Sequence, residues 1–345
     1  MTLNVLITGI GGSIGIDVAR SLRADPDLRI IGCDASDWGL RQTRALVDLS
    51  VPVPRADREP RGYLDALRAL IAEQNVAFAF VNPDPELESL AALGEGLPCA
   101  TSMPPIDTVG VTLDKARTVA RAGDAGGFPA TAEVATEDDL AGAFATLGSP
   151  LWMRSAVGAG GRGSLVVENA DEAGAWMRYW NRRGKDYQWV LQEYLPGSNI
   201  NWTGLYVGGK LIVTAAMERL AYFLGPTTAS GVSGQVSRCG SVDPDRYEEL
   251  CNRVVRALDT TPHGVYSVDL RHDARDQPRV TEVNPRLAGR PWLYTNAGVN
   301  LPLAVVRALT GAAVGDAVAD TGLELGLQLY RQLDIDPVVG RPPGR

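Results

Sequence analysis

The first hundred residues alternate short apolar runs with helical stretches, and this alternation restricts the fold more than any other feature of the chain. Strands that alternate with helices join into a parallel sheet covered by helices on both faces. The pattern therefore predicts an α/β fold that opens with a doubly wound, Rossmann-like sheet. The elements expected here are the strands Leu3–Thr8, Arg29–Cys33 and Val76–Val81 and the helices Ile14–Ala24, Tyr63–Gln74 and Glu86–Leu93.

Strands dominate from about residue 150, whereas strands and helices alternate in the first hundred residues. Residues 98–105 contain three prolines and are predicted to be a linker. Residues 338–345, rich in Pro, Gly and Arg, are predicted to be frayed. Between them the pattern predicts the strands 151–154, 165–168, 189–194, 202–207, 210–217, 265–271 and 279–284 and helices at 113–122, 137–147, 171–183, 245–258 and 301–310.

Composition argues against several classes of function. The chain of 345 residues has 41 acidic and 33 basic side chains, a net charge of −8 and no basic stripe, so we expect no nucleic-acid partner. No apolar run approaches the roughly 18 residues of a membrane span, and no signal peptide is recognisable, so we expect no membrane partner. Four cysteines without CxxC spacing indicate reduced thiols in a cytoplasmic protein.

A glycine-rich turn follows the first predicted strand. Gly9, Gly11, Gly12 and Gly15 would let the backbone approach a phosphate at the start of a helix. Asp34, at the end of the second strand, stands where nicotinamide-binding domains place an acid. An NAD(P)-dependent oxidoreductase is therefore an alternative, although tight glycine turns also occur in domains of this kind that bind nothing.

Two further segments are typical of nucleotide sites. Arg154 precedes a loop, 158–163, whose glycines could fold over an anion, although a mobile hairpin explains the composition equally well. In Gln192-Glu193-Tyr194-Leu195-Pro196-Gly197 a strand enters a turn, and its backbone could hydrogen-bond an adenine edge. The alternative for this segment is a strand end with a solvated glutamate.

The most informative pattern is a pair of predicted strands that carry two acids and an amide. If the strands pair through a four-residue loop at 274–277, Asp269 lies directly opposite Glu282. Asn284 shares the face of Glu282, because side chains two residues apart on a strand point the same way. Oxygen ligands of this kind suit magnesium bound together with nucleotide phosphates. A surface hairpin with scattered polar residues is the alternative.

These segments, in this order, resemble the ATP-grasp superfamily, in particular its carboxylate–amine ligase branch related to the carbamoyl-phosphate synthetase large subunit. The most specific parts of the resemblance are the loop 158–163, the segment 192–197 and Glu282-Val283-Asn284-Pro285-Arg286. The resemblance implies a doubly wound pre-ATP-grasp domain at 1–105, followed by a two-lobed α+β ATP-grasp domain. Its N-lobe would be at 106–197, its C-lobe at 198–335, and a flexible tail would follow at 336–345.

The resemblance also implies roles for individual residues. Lys115 and Arg154 would contact the phosphates of ATP, and Arg286 would steady the transferred phosphoryl group. Asp269, Glu282 and Asn284 would hold Mg²⁺, two ions by analogy with the family, with Mn²⁺ as an alternative. The other residues implied are the flap glycines Gly160, Gly161 and Gly163, the hinge residues Gln192, Glu193, Tyr194 and Leu195, and Asn199, which replaces the usual ribose-binding acid.

The expected activity is ATP-dependent joining of a carboxylate to an amine, with release of ADP and phosphate. Arg219, Ser233 and Arg290 are candidates for contacting the carboxylate substrate, although arginines at these places could equally be structural. The expected partners are a small carboxylate and a small amine, and the pattern is compatible with a homodimer. A nucleotide-binding module without catalytic activity is a third interpretation.

Overall fold

The computed structural model describes residues 2–157, 161, 163–185, 187–332 and 338–341. Within this part of the chain, the N-terminal region forms a parallel sheet of five strands with the order β3-β2-β1-β4-β5. The order reverses between β1 and β4, the position where such sheets open a crevice for ligands. The strands are β1 (Leu3–Thr8), β2 (Leu28–Asp34), β3 (Leu49–Pro52), β4 (Phe78–Phe80) and β5 (Ala100–Thr101), and the helices α1 (Ser13–Leu22), α2 (Asp37–Thr43), α3 (Pro60–Glu73) and α4 (Asp84–Leu93) accompany them.

The next region is a small antiparallel sheet with the order β6-β9-β7-β8. Its strands are β6 (Thr131–Val134), β7 (Leu151–Ser155), β8 (Leu165–Val167) and β9 (Trp189–Glu193). The helices of this region are α5 (Ile106–Thr112), α6 (Lys115–Ala122), α7 (Asp138–Leu147) and α8 (Ala170–Asn181). Asp114 caps α6, because its carboxylate accepts hydrogen bonds from the amides of Ala116 and Arg117. This cap places Lys115 at the first position of the helix.

A larger antiparallel sheet completes the described chain, with the order β14-β13-β10-β11-β12-β15-β16. Its strands are β10 (Asn199–Val207), β11 (Lys210–Tyr222), β12 (Val236–Val242), β13 (Gly264–His272), β14 (Pro278–Asn284), β15 (Gln328–Tyr330) and β16 (Val338–Gly340). Its helices are α9 (Asp245–Leu258), α10 (Pro291–Asn296) and α11 (Leu301–Leu309).

The first and third sheets share one hydrophobic core. Helix α1 packs against α10 and α11, so that Val18 and Leu22 join the same buried cluster as Leu293 and Val305. Burial of such side chains is the main force that holds the two regions together. The glycine turn ahead of α1 is thereby held in a fixed place beside the large sheet.

The α/β class and the parallel first sheet are confirmed, and the predicted helices and strands are found with shifted ends. The linker predicted at 98–105 is wrong at 100–101, which pair with β4 as an edge strand. The frayed tail is wrong at 338–340, which pair with β15, while 342–345 lie outside the described residues. The pattern also missed α2, β3, α5, β6, β12, α10 and β15, and residues 290–296, which include α10, were expected to be a loop. Each of these elements has at most seven residues, so its apolar periodicity is weak.

No helix in the described part of the chain is long and apolar enough to cross a membrane. All four cysteines have free thiols, and three of them are buried.

Candidate active site

A cavity of about 540 Å³ lies where the three sheets meet. The first sheet contributes the glycine turn and the loop after β4, the second contributes β7 and β9, and the third contributes the hairpin of β13 and β14. Every predicted site residue that the structure describes lines this cavity, with the exception of Gly163. Gly160 lies outside the described residues. The fold therefore gathers predicted residues that are spread over more than 170 positions of the sequence.

The hairpin of β13 and β14 has the predicted register at its functional end. Asp269 is paired with Glu282, and Asn284 is paired with Ser267 one step further along the same face. The predicted four-residue loop is wrong, because the loop runs from Asp273 to Gln277. A bulge at Thr281 adds one residue to β14 and restores the register before the two acids meet.

The carboxylates of Asp269 and Glu282 each form an ion pair with a cationic side chain. Nζ of Lys115 lies 3.2 Å from Oε1 of Glu282, and Nη2 of Arg219 donates to Oδ1 of Asp269 at 2.7 Å. Burial alone would raise the pKa of Glu282, but the charges of Lys115 and Arg154 outweigh burial and lower that pKa below its usual value. Glu282 is therefore ionised at neutral pH, and each of the two acids lies against a positive charge.

The donor set fits magnesium. Asp269, Glu282 and Asn284 present two carboxylates and an amide oxygen on one face of the hairpin, and all three line the cavity. No group of three His, Cys, Asp or Glu side chains within reach of one metal ion occurs in the described residues. Magnesium does not need such a cage, since proteins usually hold it through one or two carboxylates while water and substrate phosphates complete the shell.

Arg154 connects the second sheet to the bulge. Its Nη2 donates to the carbonyl oxygen of Thr281 at 2.5 Å, and its side chain is nearly buried. The extra residue in β14 thus provides the carbonyl to which the predicted phosphate-binding arginine docks. Arg154 and Lys115 reach the same hairpin from two different elements, β7 and α6.

The predicted hinge lies between the second and third sheets. Gln192 donates to Thr131 at 2.9 Å, and the amide of Glu193 donates to the carbonyl of Ala130 at 2.9 Å, so both residues are held at the end of β9. The amide of Gly197 donates to the carbonyl of His272, and a Cβ at this position would lie 2.7 Å from Cβ of His272. Only glycine allows the chain to approach the hairpin so closely.

The part of the flap that the structure describes lies beside an aromatic cluster. Nε1 of Trp176 donates to the carbonyl of Gly163 at 2.7 Å. A Cβ at Gly161 would lie 3.2 Å from the carbonyl of Val232, which belongs to the loop between β11 and β12. Gly161 and this second loop therefore line the cavity next to each other.

Three residues predicted to face the substrate or the ribose make protein contacts. The Asn199 side chain donates to the Tyr222 hydroxyl at 2.9 Å and accepts from Arg219 at 2.8 Å. The Ser233 hydroxyl donates to the carbonyl of Phe223 at 2.7 Å. Arg219 thus lies beside Asp269, a predicted metal ligand, and Asn199 and Ser233 form contacts within the cavity wall.

Arg290 lines the cavity and forms a buried ion pair with the first helix. Its Nη2 donates to Oδ1 of Asp17 at 2.7 Å, and the two side chains are 4% and 0% exposed. The Nε atom of Arg290 is buried without a hydrogen-bond partner in the described chain. Such an atom can still bind a ligand that enters the cavity.

The contacts of the glycine turn differ from those expected in a nicotinamide-binding domain. The Asp34 carboxylate accepts hydrogen bonds from the amides of Gly11 and Ser36, both at 2.8 Å. A Cβ at Gly11 would lie 2.5 Å from Cα of Gly39, so α2 packs directly on the turn. Asp34 therefore braces the loop where a ribose contact was expected, and nothing in the fold supports the oxidoreductase alternative.

The sequence pattern did not identify the loop after β4 as part of the site. Asn82 and Asp84 line the cavity, and Oδ1 of Asp84 accepts a hydrogen bond from Nε of Arg286 at 2.6 Å. A signal was present, because polar residues directly after a parallel strand lie at the ligand-binding edge of such a sheet. This signal was overlooked because the sequence Asn82-Pro83-Asp84-Pro85 is also typical of an ordinary turn.

Known proteins resemble this chain in one domain and in the overall fold. The family model described as an ATP-grasp domain matches residues 127–290. No curated protein matches the chain significantly by sequence.

Solved structures match nearly the whole chain in fold. N5-carboxyaminoimidazole synthetase from Staphylococcus aureus aligns with a TM-score of 0.70 at 15% identity, over 96% of this chain and 83% of that one. L-amino acid ligase from Bacillus licheniformis aligns at 0.67 and 16%, over 95% and 79%. Biotin carboxylase from Campylobacter jejuni aligns at 0.69 and 15%, over 95% and 75%. Residues 127–290 thus match an ATP-grasp domain, and nearly the whole chain shares its fold with these three enzymes.

Proposed function

We propose that this chain is an ATP-dependent carboxylate–amine ligase. The observation that carries the proposal is the convergence of three cations, Lys115, Arg154 and Arg286, on the hairpin that bears Asp269 and Glu282. Phosphoryl transfer needs little covalent chemistry from a protein, and depends on positioning and on charge around the phosphates. This cavity supplies both, and the solved relatives include a Staphylococcus aureus synthetase complexed with ADP.

In the proposed reaction, an oxygen of the carboxylate substrate attacks the γ-phosphorus of ATP. The bond between that phosphorus and the β–γ bridging oxygen breaks, and ADP leaves with the electron pair. The amine nitrogen then attacks the carbonyl carbon of the acyl phosphate, phosphate leaves with its oxygen, and the nitrogen loses a proton. Lys115, Arg154 and Arg286 balance the negative charge that moves during the first transfer. Magnesium, when bound at Asp269, Glu282 and Asn284, would add Lewis-acid stabilisation of the phosphates.

The two ends of the cavity suggest where each substrate lies. The hinge residues at 192–195 line one end, where we place the adenine. At the other end are the start of α1, the Asn82 side chain and Arg290. Helix α1 begins after Gly12 without a side-chain cap, and both polar atoms of the buried Asn82 amide lack a partner in the described chain. We place the carboxylate substrate at this end, because free amides and a helix N-terminus favour an anion.

The deciding experiment is a screen for ADP release, with single carboxylates tested against pooled amino acids in the presence of ATP and Mg²⁺. Mass spectrometry should find a product equal to the two substrates minus one water. Asp269→Asn serves as the inactive control. Stabilisation of the protein by NADH and not by ATP with Mg²⁺, in a thermal-shift titration, would contradict the proposal. The number of metal ions, a homodimer and a cytoplasmic location stay predictions.

A further inference from the structure

Arg286 has an acidic partner that comes from the first sheet. Its Nε donates to Oδ1 of Asp84 at 2.6 Å, across 202 positions of the sequence. The two side chains are 14% and 17% exposed, so the contact is shielded from bulk water although both residues line the cavity. A hydrogen bond between two charged groups in such a place is stronger and more directional than a neutral one.

The backbone around Asp84 is held in place on both sides. Asp84 is the first residue of α4 and stands between Pro83 and Pro85, whose rings restrict the chain. Pro83 packs against Gly9, which has a φ of +53°, and a Cβ at Gly9 would overlap the proline ring. The glycine turn therefore gives the Asp84 loop the room that it needs to reach Arg286.

The acid that pairs with Arg286 is not a predicted metal ligand, unlike the acids that pair with Lys115 and Arg219. Lys115 pairs with Glu282 and Arg219 pairs with Asp269, and both acids are predicted metal ligands. A cation that binds at these acids would compete with those pairs. Asp84 lies outside the predicted ligand set, so a cation at Asp269 and Glu282 would not compete with Arg286 for its carboxylate.

We propose that Asp84 is a positioning residue that holds Arg286 against the γ-phosphate of ATP. The inference rests on the proposed function, since it needs Arg286 to contact the transferred group. Asp84 engages Nε, and the carbonyl of Leu287 accepts a hydrogen bond from Nη1 at 3.2 Å, so the guanidinium is held in one orientation and Nη2 is left for the phosphate. Displacement of a positioned group by about 1 Å can cost on the order of 100-fold in rate. The first sheet thereby acts on phosphoryl transfer as well as on substrate binding.

The test compares two nucleotides that differ in the γ-phosphate. Calorimetric titration of the full chain with Mg²⁺–ADP and with Mg²⁺–AMP-PNP, a non-hydrolysable ATP analogue, measures both affinities. Asp84→Asn should weaken AMP-PNP binding by about tenfold or more and change ADP binding by less than twofold. Asp25→Asn is the matched control, because Asp25 pairs with Arg307 at 3.1 Å across the same junction between the regions and does not line the cavity. This control should leave both affinities unchanged.

A double-mutant cycle separates positioning from a purely structural role. If Asp84 acts through Arg286, Asp84→Asn should cost little further AMP-PNP affinity in an Arg286→Lys background. If Asp84→Asn weakens the binding of AMP-PNP and of ADP by the same factor, or leaves both affinities unchanged, the inference is overturned while the proposed function stands. Failure of the unmodified chain to bind either nucleotide would overturn both. If Asp84→Asn does not fold, Asp84→Glu carries the same test, because a displaced carboxylate should also weaken AMP-PNP more than ADP.

Discussion

Lys115 and Glu282 form an ion pair across the cavity, with Nζ 3.2 Å from Oε1, although one residue begins a helix beside the small sheet and the other lies on the large sheet. The Lys115 side chain is 8% exposed and that of Glu282 is 25% exposed. The pair brings the predicted phosphate-binding lysine to a predicted metal ligand. It therefore fixes where the triphosphate and its cation would meet.

Removal of either acid on the hairpin should abolish turnover. Asp269→Asn and Glu282→Gln each delete a charge that the proposed magnesium ion needs, so we expect the rate of ADP release to fall by at least about 100-fold. Asp276→Asn is the control on the same hairpin, because Asp276 is 75% exposed and asparagine tolerates its φ of +60°. Full turnover by either of the first two variants would refute the metal assignment.

Arg154→Lys should weaken ATP binding. Arginine reaches the carbonyl of Thr281 at 2.5 Å with one nitrogen and keeps others for a phosphate, whereas lysine has a single nitrogen for both tasks. We expect an ATP affinity about tenfold lower, measured by calorimetry with Mg²⁺–AMP-PNP. Arg279→Lys is the matched control, because Arg279 lies on the same hairpin but pairs with Asp273 outside the cavity. The Arg279→Lys variant should bind Mg²⁺–AMP-PNP as tightly as the unmodified protein. An unaltered affinity for Arg154→Lys would mean that a single positive charge suffices at this position.

Gly9→Ala should destabilise the protein more than Gly94→Ala. Both glycines have positive φ, +53° and +65°, so each substitution carries a similar backbone strain of about 1 kcal/mol. Only at Gly9 would the new Cβ overlap Pro83, whereas nothing lies within 4 Å of a Cβ at Gly94. We expect Gly9→Ala to lower the free energy of unfolding by roughly 1–3 kcal/mol more than Gly94→Ala. Urea unfolding of both variants measures this difference, and equal losses would show that the Pro83 contact is unimportant.

The stability of the first sheet should depend on the ionisation of Glu86. This side chain is buried, its Oε2 has no hydrogen-bond partner in the described chain, and burial raises its pKa to about 7. The unfolded chain loses the proton near pH 4.5 while the folded chain keeps it to about pH 7, so stability falls as the pH rises between these values.

Glu86→Gln removes that dependence. Relative to the unmodified protein, its free energy of unfolding should rise by up to about 3 kcal/mol between pH 4 and pH 8, as measured by urea unfolding at both pH values. Glu73→Gln, at an exposed position of α3, should show no such change. The prediction fails if the difference between Glu86→Gln and the unmodified protein is the same at both pH values.

The hairpin of β13 and β14 shows which structural details a local sequence pattern can predict. Asp269 and Glu282 could be paired from the sequence, because alternation along a strand places side chains on defined faces. The loop length was wrong, and the pairing held only because the bulge at Thr281 compensates. A bulge depends on what docks against the strand, in this case Arg154, and such a contact between distant segments leaves no local signature.

Residues whose role depends on a distant partner could not be assigned from the sequence. Asp34 was the acid that suggested a nicotinamide cofactor, but its carboxylate braces Gly11. Asp84 was not singled out in the sequence, but its carboxylate holds Arg286. Arg290, expected to face a substrate, is paired with Asp17 in the junction between the first helix and the large sheet. In each case the chemistry of the side chain was known, and its partner was not.

By itself, the sequence determined the α/β class, the parallel first sheet and the types of residue that the site contains, because periodicity and motif spacing are local properties of the chain. Only the tertiary structure decided which charges meet. The shared core of α1, α10 and α11 docks the first sheet on the third, and that docking brings Asp17 to Arg290 and Asp84 to Arg286. Burial of apolar surface drives this docking without regard to sequence distance, so the ion pairs that it creates emerge only in the folded chain.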